Sequence, residues 1–427
     1  MTRQECALFE SFIAILLFLS FPIIVTAGNE LELAKGTERK NVKAETVDEM
    51  RYLRSRTLNL EERLKVLEGR EIFAHRKDQV FKGETVNEKV EEDPVAETKK
   101  GISISASGTG TVQHAIGIGS HENKADGDLF GIGSVDIFLS GEPAPNTLFF
   151  VDIEAIGGFS PDSEISNISV LNSDDVRRTS DRDLNIREAW MGLELFEEQL
   201  FLYGGMIDLT NYFDANRVAN DEDSQFITDT LVNNPLLGAP DNGGGIAAIY
   251  DPKTGVNFRA GIQRGDGSSR SLGQKVYSVV EIGYQSHFVT IPEGHYRAWY
   301  RHDKGLKKEN TAYGFSVDQK VTPSLTLFGR FGHKFTSGQF SEDDFFYSGG
   351  FQFKNRYTFS LGDYWALGFQ HTDLATGVEE SLVEGYYSFN LAESFKASFH
   401  LQYLIDSNSG EKDKSYLLPG LRVHFDF

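Results

Sequence analysis

The chain has 427 residues, with 63 acidic against 42 basic, 33 Phe, 16 Tyr, 42 Gly and a single Cys. The acidic excess argues against nucleic acid as a partner and against a strongly basic, anion-trapping pore, although net charge says little about one lumen. After residue 25 there is no apolar run of the about 20 residues that a membrane helix needs, whereas aromatic residues spread through alternating segments suit a membrane barrel.

The first 27 residues read as a secretory signal. Arg3 gives a weak basic start, Phe12–Leu19 is an apolar core, and Val25-Thr26-Ala27 is a small-residue cleavage site. The competing reading is an uncleaved anchor helix. Cleavage after Ala27 removes Cys6, and with Cys6 ahead of the apolar run a lipoprotein is excluded.

Residues 28–72 comprise a polar stretch and a short segment with heptad character. Met50, Leu53, Thr57, Leu60, Leu64 and Leu67 alternate by three and four residues, the a/d spacing of a coiled coil. With Met50, Thr57 and Leu64 at a, the g-to-e pairs of a parallel coil are Glu49–Arg54, Arg56–Glu61 and Arg63–Glu68, each opposite in sign. This pattern predicts a parallel homo-oligomer, a trimer among the options, through residues 46–71. Three heptads are marginal alone, and a lone helix packed on the barrel rim or the periplasmic wall is the other reading. Residues 73–100 form a charged linker.

From Gly101 to Phe427 about sixteen alternating segments are separated by turn signals. They cover 101–116, 128–140, 146–158, 185–196, 199–208, 243–251, 255–264, 275–286, 293–302, 309–319, 323–333, 344–354, 357–371, 380–390, 393–405 and 415–427. Connections after segments 2, 4, 6, 10, 12 and 14 are turns of a few residues; those after odd segments, such as 117–127, 159–184, 209–242 and 406–414, are longer and polar. Short periplasmic turns, long outer loops and an even strand number describe an outer-membrane barrel. The fold class expected is therefore an all-β transmembrane barrel of about 16 antiparallel strands preceded by a short coiled-coil helix. Its place is the outer membrane of a Gram-negative cell, among lipid and lipopolysaccharide, with the N-terminal arm in the periplasm.

In the last segment Leu421, Val423, Phe425 and Phe427 share one face, and Arg422, His424 and Asp426 share the other. The terminal aromatic is similar to the signal by which the barrel-assembly machinery recognises its clients. Period-two alternation then sorts the remaining walls. It places Asp152, Glu154, Glu188, Trp190, Glu194, Glu281, His295, Arg297, Trp299, Arg301, Glu384, His400 and Arg422 toward the lumen. A Lys or Arg facing lipid at mid-membrane costs roughly 2–4 kcal/mol, which reinforces the inward assignment of Arg297 and Arg301.

A lumen of both signs with two indoles suits neutral polyols better than a one-signed ring does, with Trp190 and Trp299 as flat faces for pyranose rings. The plain alternative is an ordinary wetted porin wall, or, for the indoles, an interface belt if a bulge inverts them. The connection 209–242 is long for a solvated loop. It either folds into the barrel and narrows it, or caps the outside or docks on a neighbour. No cofactor and no metal site is indicated. An enzyme would need a placed nucleophile, base and orienting group; Ser398 and His400 share a wall, but at a generic strand spacing.

These residues resemble the carbohydrate-selective OprB-type porins. The likeness is carried, in order along 101–427, by Asn233-Asn234-Pro235, Gly261–Gly267, Glu281-Ile282-Gly283-Tyr284, Gly294-His295-Tyr296-Arg297, Glu384-Gly385-Tyr386-Tyr387, His400–Ile405 and Pro419-Gly420-Leu421-Arg422. The resemblance implies a sixteen-stranded barrel that passes monosaccharides and other small solutes by diffusion. The remaining alternative is a structural or adhesive barrel whose arm makes oligomer or cell-wall contacts.

Overall fold

The computed structural model describes residues 102–118, 125–177, 182–265, 275–286, 293–304, 309–336, 342–354, 363–392, 394–408 and 414–427. The expected signal, heptad segment and linker lie outside them. The strands are β1 Ile102–His114, β2 Ile116–Ile118, β3 Leu129–Gly141, β4 Thr147–Phe159, β5 Arg182–Leu195, β6 Leu200–Ile207, β7 Gly243–Tyr250, β8 Val256–Arg264 and β9 Val276–Ser286. They continue as β10 Gly294–Asp303, β11 Asn310–Lys320, β12 Leu325–Thr336, β13 Glu342–Lys354, β14 Tyr364–Leu374, β15 Val378–Ala392, β16 Phe395–Asn408 and β17 Lys414–Asp426.

All neighbours pair antiparallel, and β1 pairs with both β3 and β17, so the sheet closes on itself. Val112↔Leu421 on β1 and Leu417↔Ile116 on β2 lie in one register, so β2 is β1 resumed beyond Ala115. The wall therefore has sixteen staves, as the alternation predicts. Closure leaves no strand edge, the condition for crossing hydrocarbon without unsatisfied backbone groups.

Side chains alternate between the two wall faces. Leu184, Ile186, Met191 and Leu193 on β5, Val280 and Ile282 on β9, and Leu421 and Val423 on β17 all point out and are exposed. Ser, Thr, Gln, Asp, Glu, Arg and His point in. An apolar exterior around a polar interior inverts the soluble rule and fits a barrel bathed in hydrocarbon.

The two ends differ, but less strictly than the sequence implies. Short turns such as Phe196–Gln199 and Asp251–Gly255 close one end, while 160–181 and 208–242 (called here L2 and L3) leave from the other. At that second end β14 and β15 are nevertheless joined by Ala375–Gly377 alone, with Gly377 at φ +82°. The connection is tight because both strands run further than their alternation suggests.

One strand also changes parity. Asp152 pairs with Glu188 but the next residue, Ile153, pairs with Ile186, a bulge that leaves Arg187 opposite no partner. Two residues then face the lumen in succession, Arg187 and Glu188, and the outward series passes from Ile186 to Ala189.

Candidate functional site: a lumen occupied by an inserted loop

L3 folds into the barrel. Its Leu209, Phe213, Phe226 and Leu231 are at most 1% exposed. With Ile165 and Leu171 of L2, its Val218, Phe226, Leu231 and Val232 pack against Phe328, Ala366, Leu382, Tyr386, Leu404 and Leu418 of the wall. This apolar cluster inside the polar lumen explains the apolar residues scattered through an otherwise loop-like sequence. A one-turn helix, α1 (Asp229–Val232), is its only α-helical part.

Wall charges clasp the loop, and Asp214 near its start is the most heavily bonded point. One Asp214 oxygen accepts the Trp299 indole N–H at 2.7 Å and the other pairs with Arg330 at 2.7 Å. The Asp214 backbone N–H donates to Glu281 at 2.7 Å, and Glu281 is paired with Arg259 at 3.2 Å. Arg259 in turn donates to the Tyr212 carbonyl at 2.6 Å. Further along, Arg301 donates to the Leu236 carbonyl at 3.1 Å and Tyr277 to the Leu237 carbonyl at 2.7 Å.

The opposite wall holds the middle of L3. Glu384 accepts the Ile227 and Thr228 N–H groups at 3.0 and 3.1 Å, and His400 bonds the same carboxylate at 2.7 Å. Arg422 donates to the Glu222 carbonyl and, at 2.7 Å, to the Gln225 carbonyl. L2 docks beside it, through Glu380 to the Ile168 and Ser169 N–H groups and through Gln402 to the Leu171 carbonyl. Within L2, Asp162 accepts from Asn167 and from the Leu171 and Asn172 N–H groups. Burial nevertheless pushes its carboxyl up to about 6.

The sequence-predicted lumen residues therefore all point inward, but most serve the loop. Glu188, Glu281, Trp299, Arg301, Glu384 and Arg422 bond L3 directly. His400 acts through Glu384. His295 and Arg297 share Asp318, at 2.8 and 3.3 Å, and the Arg217 backbone N–H of L3 donates to the same carboxylate at 3.3 Å. Trp190 stands in a row of rings, Phe138–Phe150–Trp190–Tyr203–Tyr212, that ends on the loop. Trp190 is 8% exposed and Trp299 2%, so the expectation of open pyranose platforms gives way to two indoles that are buried supports.

Asp152, Glu154 and Glu194 lie on β4 and β5, where Asp152 is the cross-strand partner of the anchor Glu188. The missed residue among them is Arg187, whose Nε lies 3.1 Å from Glu154. Strict alternation from Met191 puts Arg187 in lipid. The signal was the cost of that placement together with the outward Leu184 and Ile186, whose parity is opposite to that of Met191 and Leu193. Arg259, Asp318 and Arg330 also serve the site; each alternates inward on its own strand, β8, β11 or β12, so period two by itself marks them.

The bulge also grips both feet of L3. The Asp208 N–H donates to Glu188 at 2.8 Å and the Asn242 amide to the Arg187 carbonyl at 2.9 Å. Around it the inner face of β3–β5 carries Asp136, Asp152, Glu154, Glu188 and Glu194. Among the described side chains Arg187 is the sole Lys or Arg on β1–β7.

The barrel is superposable on solved outer-membrane porins. High-pH OprB of Pseudomonas putida matches with a TM-score of 0.64 at 13% identity, over 77% of this chain and 94% of that one. The fold is that of the OprB-type porins. An anion-selective porin from Comamonas acidovorans matches at a TM-score of 0.51 and 10% identity, over 77% and 100% of the two chains. A protein of Aquifex aeolicus (strain VF5), described only as uncharacterized, is 26% identical over 271 residues, 62% of this chain and 77% of its own length. No protein-family model matches the chain.

Proposed function

We propose that this chain is an outer-membrane porin through which small hydrophilic solutes, carbohydrates first among them, diffuse passively. The observation that carries the proposal is a closed barrel, apolar outside and polar inside, narrowed by L3. In this reading residues 1–27 export the chain, the exterior meets lipid and lipopolysaccharide, and residues 28–100 lie in the periplasm. Phe427 addresses the assembly machinery. For sugars the support is the mixture of groups on the inner faces of β1, β3, β4 and β5. Ser105, Ser107 and Ser134 bring hydroxyls, Asp136 and Asp152 bring acceptors, and Arg187 brings a guanidinium. Such a set exchanges hydrogen bonds with hydroxyl-rich solutes without a ring of one sign.

The test is conductance of the purified chain in planar bilayers with added solutes. Channels partly blocked by glucose-like sugars and indifferent to phosphate are the expected result. Conducting channels blocked by phosphate alone sink the sugar assignment.

The apolar cluster of L2 and L3 favours one rival, a plugged barrel of structural or adhesive role. Complete absence of conductance would support it.

The bulge supplies a selectivity test of its own. A unit charge acting over about 4 Å in water-like surroundings is worth about 1 kcal/mol. Arg187→Gln should therefore raise the cation-to-anion permeability ratio by about fivefold, read from reversal potentials under a salt gradient. An unchanged reversal potential would remove the bulge from the ion path.

A further inference from the structure

Ser398 and His400 stand two apart on β16, a spacing that any strand offers. The barrel brings a third group beside them. Glu384 lies on β15, whose register sets it opposite Gln402 and sets Tyr386 opposite His400. His400 Nδ1 is 2.7 Å from a Glu384 carboxylate oxygen, and His400 Nε2 is 2.8 Å from Ser398 Oγ. All three side chains are buried on the inner face of the wall.

The direction of each bond follows from what its partners can give. The Glu384 carboxylate accepts the Ile227 and Thr228 N–H groups, one on each oxygen, and an ionised carboxylate has no proton to donate. Nδ1 therefore carries the imidazole proton and donates it to Glu384. Nε2 is left as an acceptor, and the Ser398 O–H donates to it. Hydroxyl to imidazole and imidazole to carboxylate is the order that activates a serine. As a brace for Glu384, His400 needs only Nδ1; the second bond, to a hydroxyl, is what a general base requires.

The imidazole is also held in plane. The Tyr386 ring stacks on it at 5.3 Å and 22°, and Phe226 meets Tyr386 edge-on at 4.9 Å. On the other side of β16, Arg422 is the direct cross-strand partner of Ser398. The Glu222 and Gln225 carbonyls of L3 fix its guanidinium. An ester carbonyl attacked by Ser398 becomes an oxyanion, and a positioned cation beside the nucleophile favours that charge. L3 bonds Arg422 and Glu384 from one side. Toward the short-turn end of β16 the next inward residue is Lys396, whose side chain is partly open to solvent.

We propose that Ser398, His400 and Glu384 hydrolyse short-chain carboxylic esters small enough to enter the lumen. Ser398 is the nucleophile, His400 the base and then the acid, and Glu384 the residue that positions His400. The Ser398 proton passes to His400 Nε2 as Oγ adds to the ester carbonyl. The bond to the alcohol oxygen then breaks, and the alcohol leaves with that proton. Water adds to the acyl group on Ser398, giving a proton to Nε2; the carboxylic acid leaves and Oγ takes the proton back. One water is consumed, and no oxidant or cofactor enters. The inference rests on a lumen that small solutes reach, not on which solute the channel prefers.

The test uses the purified full chain, with heat-shifted electrophoretic mobility as the check on folding. A fluorophosphonate probe, which phosphonylates an activated serine and releases fluoride, should label Ser398, located by peptide mass spectrometry. Nitrophenyl acetate should be cleaved and nitrophenyl palmitate should not. Ser398→Ala should abolish the label, and His400→Ala should slow labelling and acetate cleavage by about 100-fold, the lower end of what a general base supplies. Glu384→Gln should shift the pH of half-maximal labelling, which a loss of stability alone does not do. Ser348→Ala, on the inner face of β13, should label like the parent. Asp214→Ala gives the probe a second way in if L3 shields the site. No label at Ser398 in either the parent or Asp214→Ala overturns the inference, as do acetate cleavage undiminished in Ser398→Ala and palmitate cleaved as fast as acetate. Channels that conduct without hydrolysing sink this inference alone; a barrel that hydrolyses acetate without conducting supports it and sinks the porin reading alone.

Discussion

Asp214→Ala should open the channel and soften the barrel at once. The carboxylate receives the Trp299 indole and Arg330 Nε, both at 2.7 Å, and the Arg330 side chain is wholly buried. Removing one member of a buried ion pair costs about 3–5 kcal/mol, because the remaining charge stays desolvated and unpaired. The released loop can move out of the lumen only if the bonds on either side yield too. Those are the Asp214 N–H to Glu281 and the Arg259 bond to the Tyr212 carbonyl, and both converge on the same short stretch. Single-channel conductance should therefore rise and grow noisy, and the heat-shift temperature should fall. Asp214→Asn separates the two effects. It keeps an acceptor for Trp299 but removes the charge opposite Arg330, so it should lose stability while keeping more of the parent conductance. Parent-like conductance in Asp214→Ala would mean that L3 does not limit flow.

How much of this was open to a reader of the sequence depends on which force fixed each feature. The sixteen staves were legible because a wall between water and hydrocarbon imposes period two on every strand. Phe425 and Val423 against Arg422 and His424 display the rule within a few residues. The inward direction of all the named charges followed from the same force. The destination of those charges did not follow, since alternation says which face a side chain occupies and nothing about what stands opposite. Glu384 reads as a lumen wall residue, yet its partners are two backbone N–H groups of a loop more than a hundred residues earlier in the chain. The burial of L3 was one of two open choices, and its apolar residues decide it: inside the barrel Phe226 and Leu231 have Phe328 and Leu382 to pack against, while Phe213 and Leu236 are buried beside β8 and β12. The bulge at Arg187 was illegible to strict alternation, though a penalty for arginine in lipid would have exposed it.

The second large effect concerns the opposite anchor. In Glu384→Ala the buried Ile227 and Thr228 N–H groups lose their acceptor, at about 1–3 kcal/mol each, and His400 loses its partner. Glu384→Gln retains one carbonyl oxygen, so it should fall between parent and alanine. Combined with Asp214→Ala the substitution asks whether L3 is held as a unit. Anchors that act on separate segments give stability changes that add within about 0.3–0.5 kcal/mol. Anchors on one cooperative loop do not, because the first release already forfeits much of what the second would have lost, and a coupling of about 0.5–3 kcal/mol is then expected. Phe226 and Leu231, packed in an apolar cluster between the two anchors, make the cooperative outcome the expected one. Conductance should show the same pattern, with the double variant little different from Asp214→Ala alone. Additive steps in both readouts would instead describe two local clasps, and the constriction would then be set by whichever lies nearer the path of the solute.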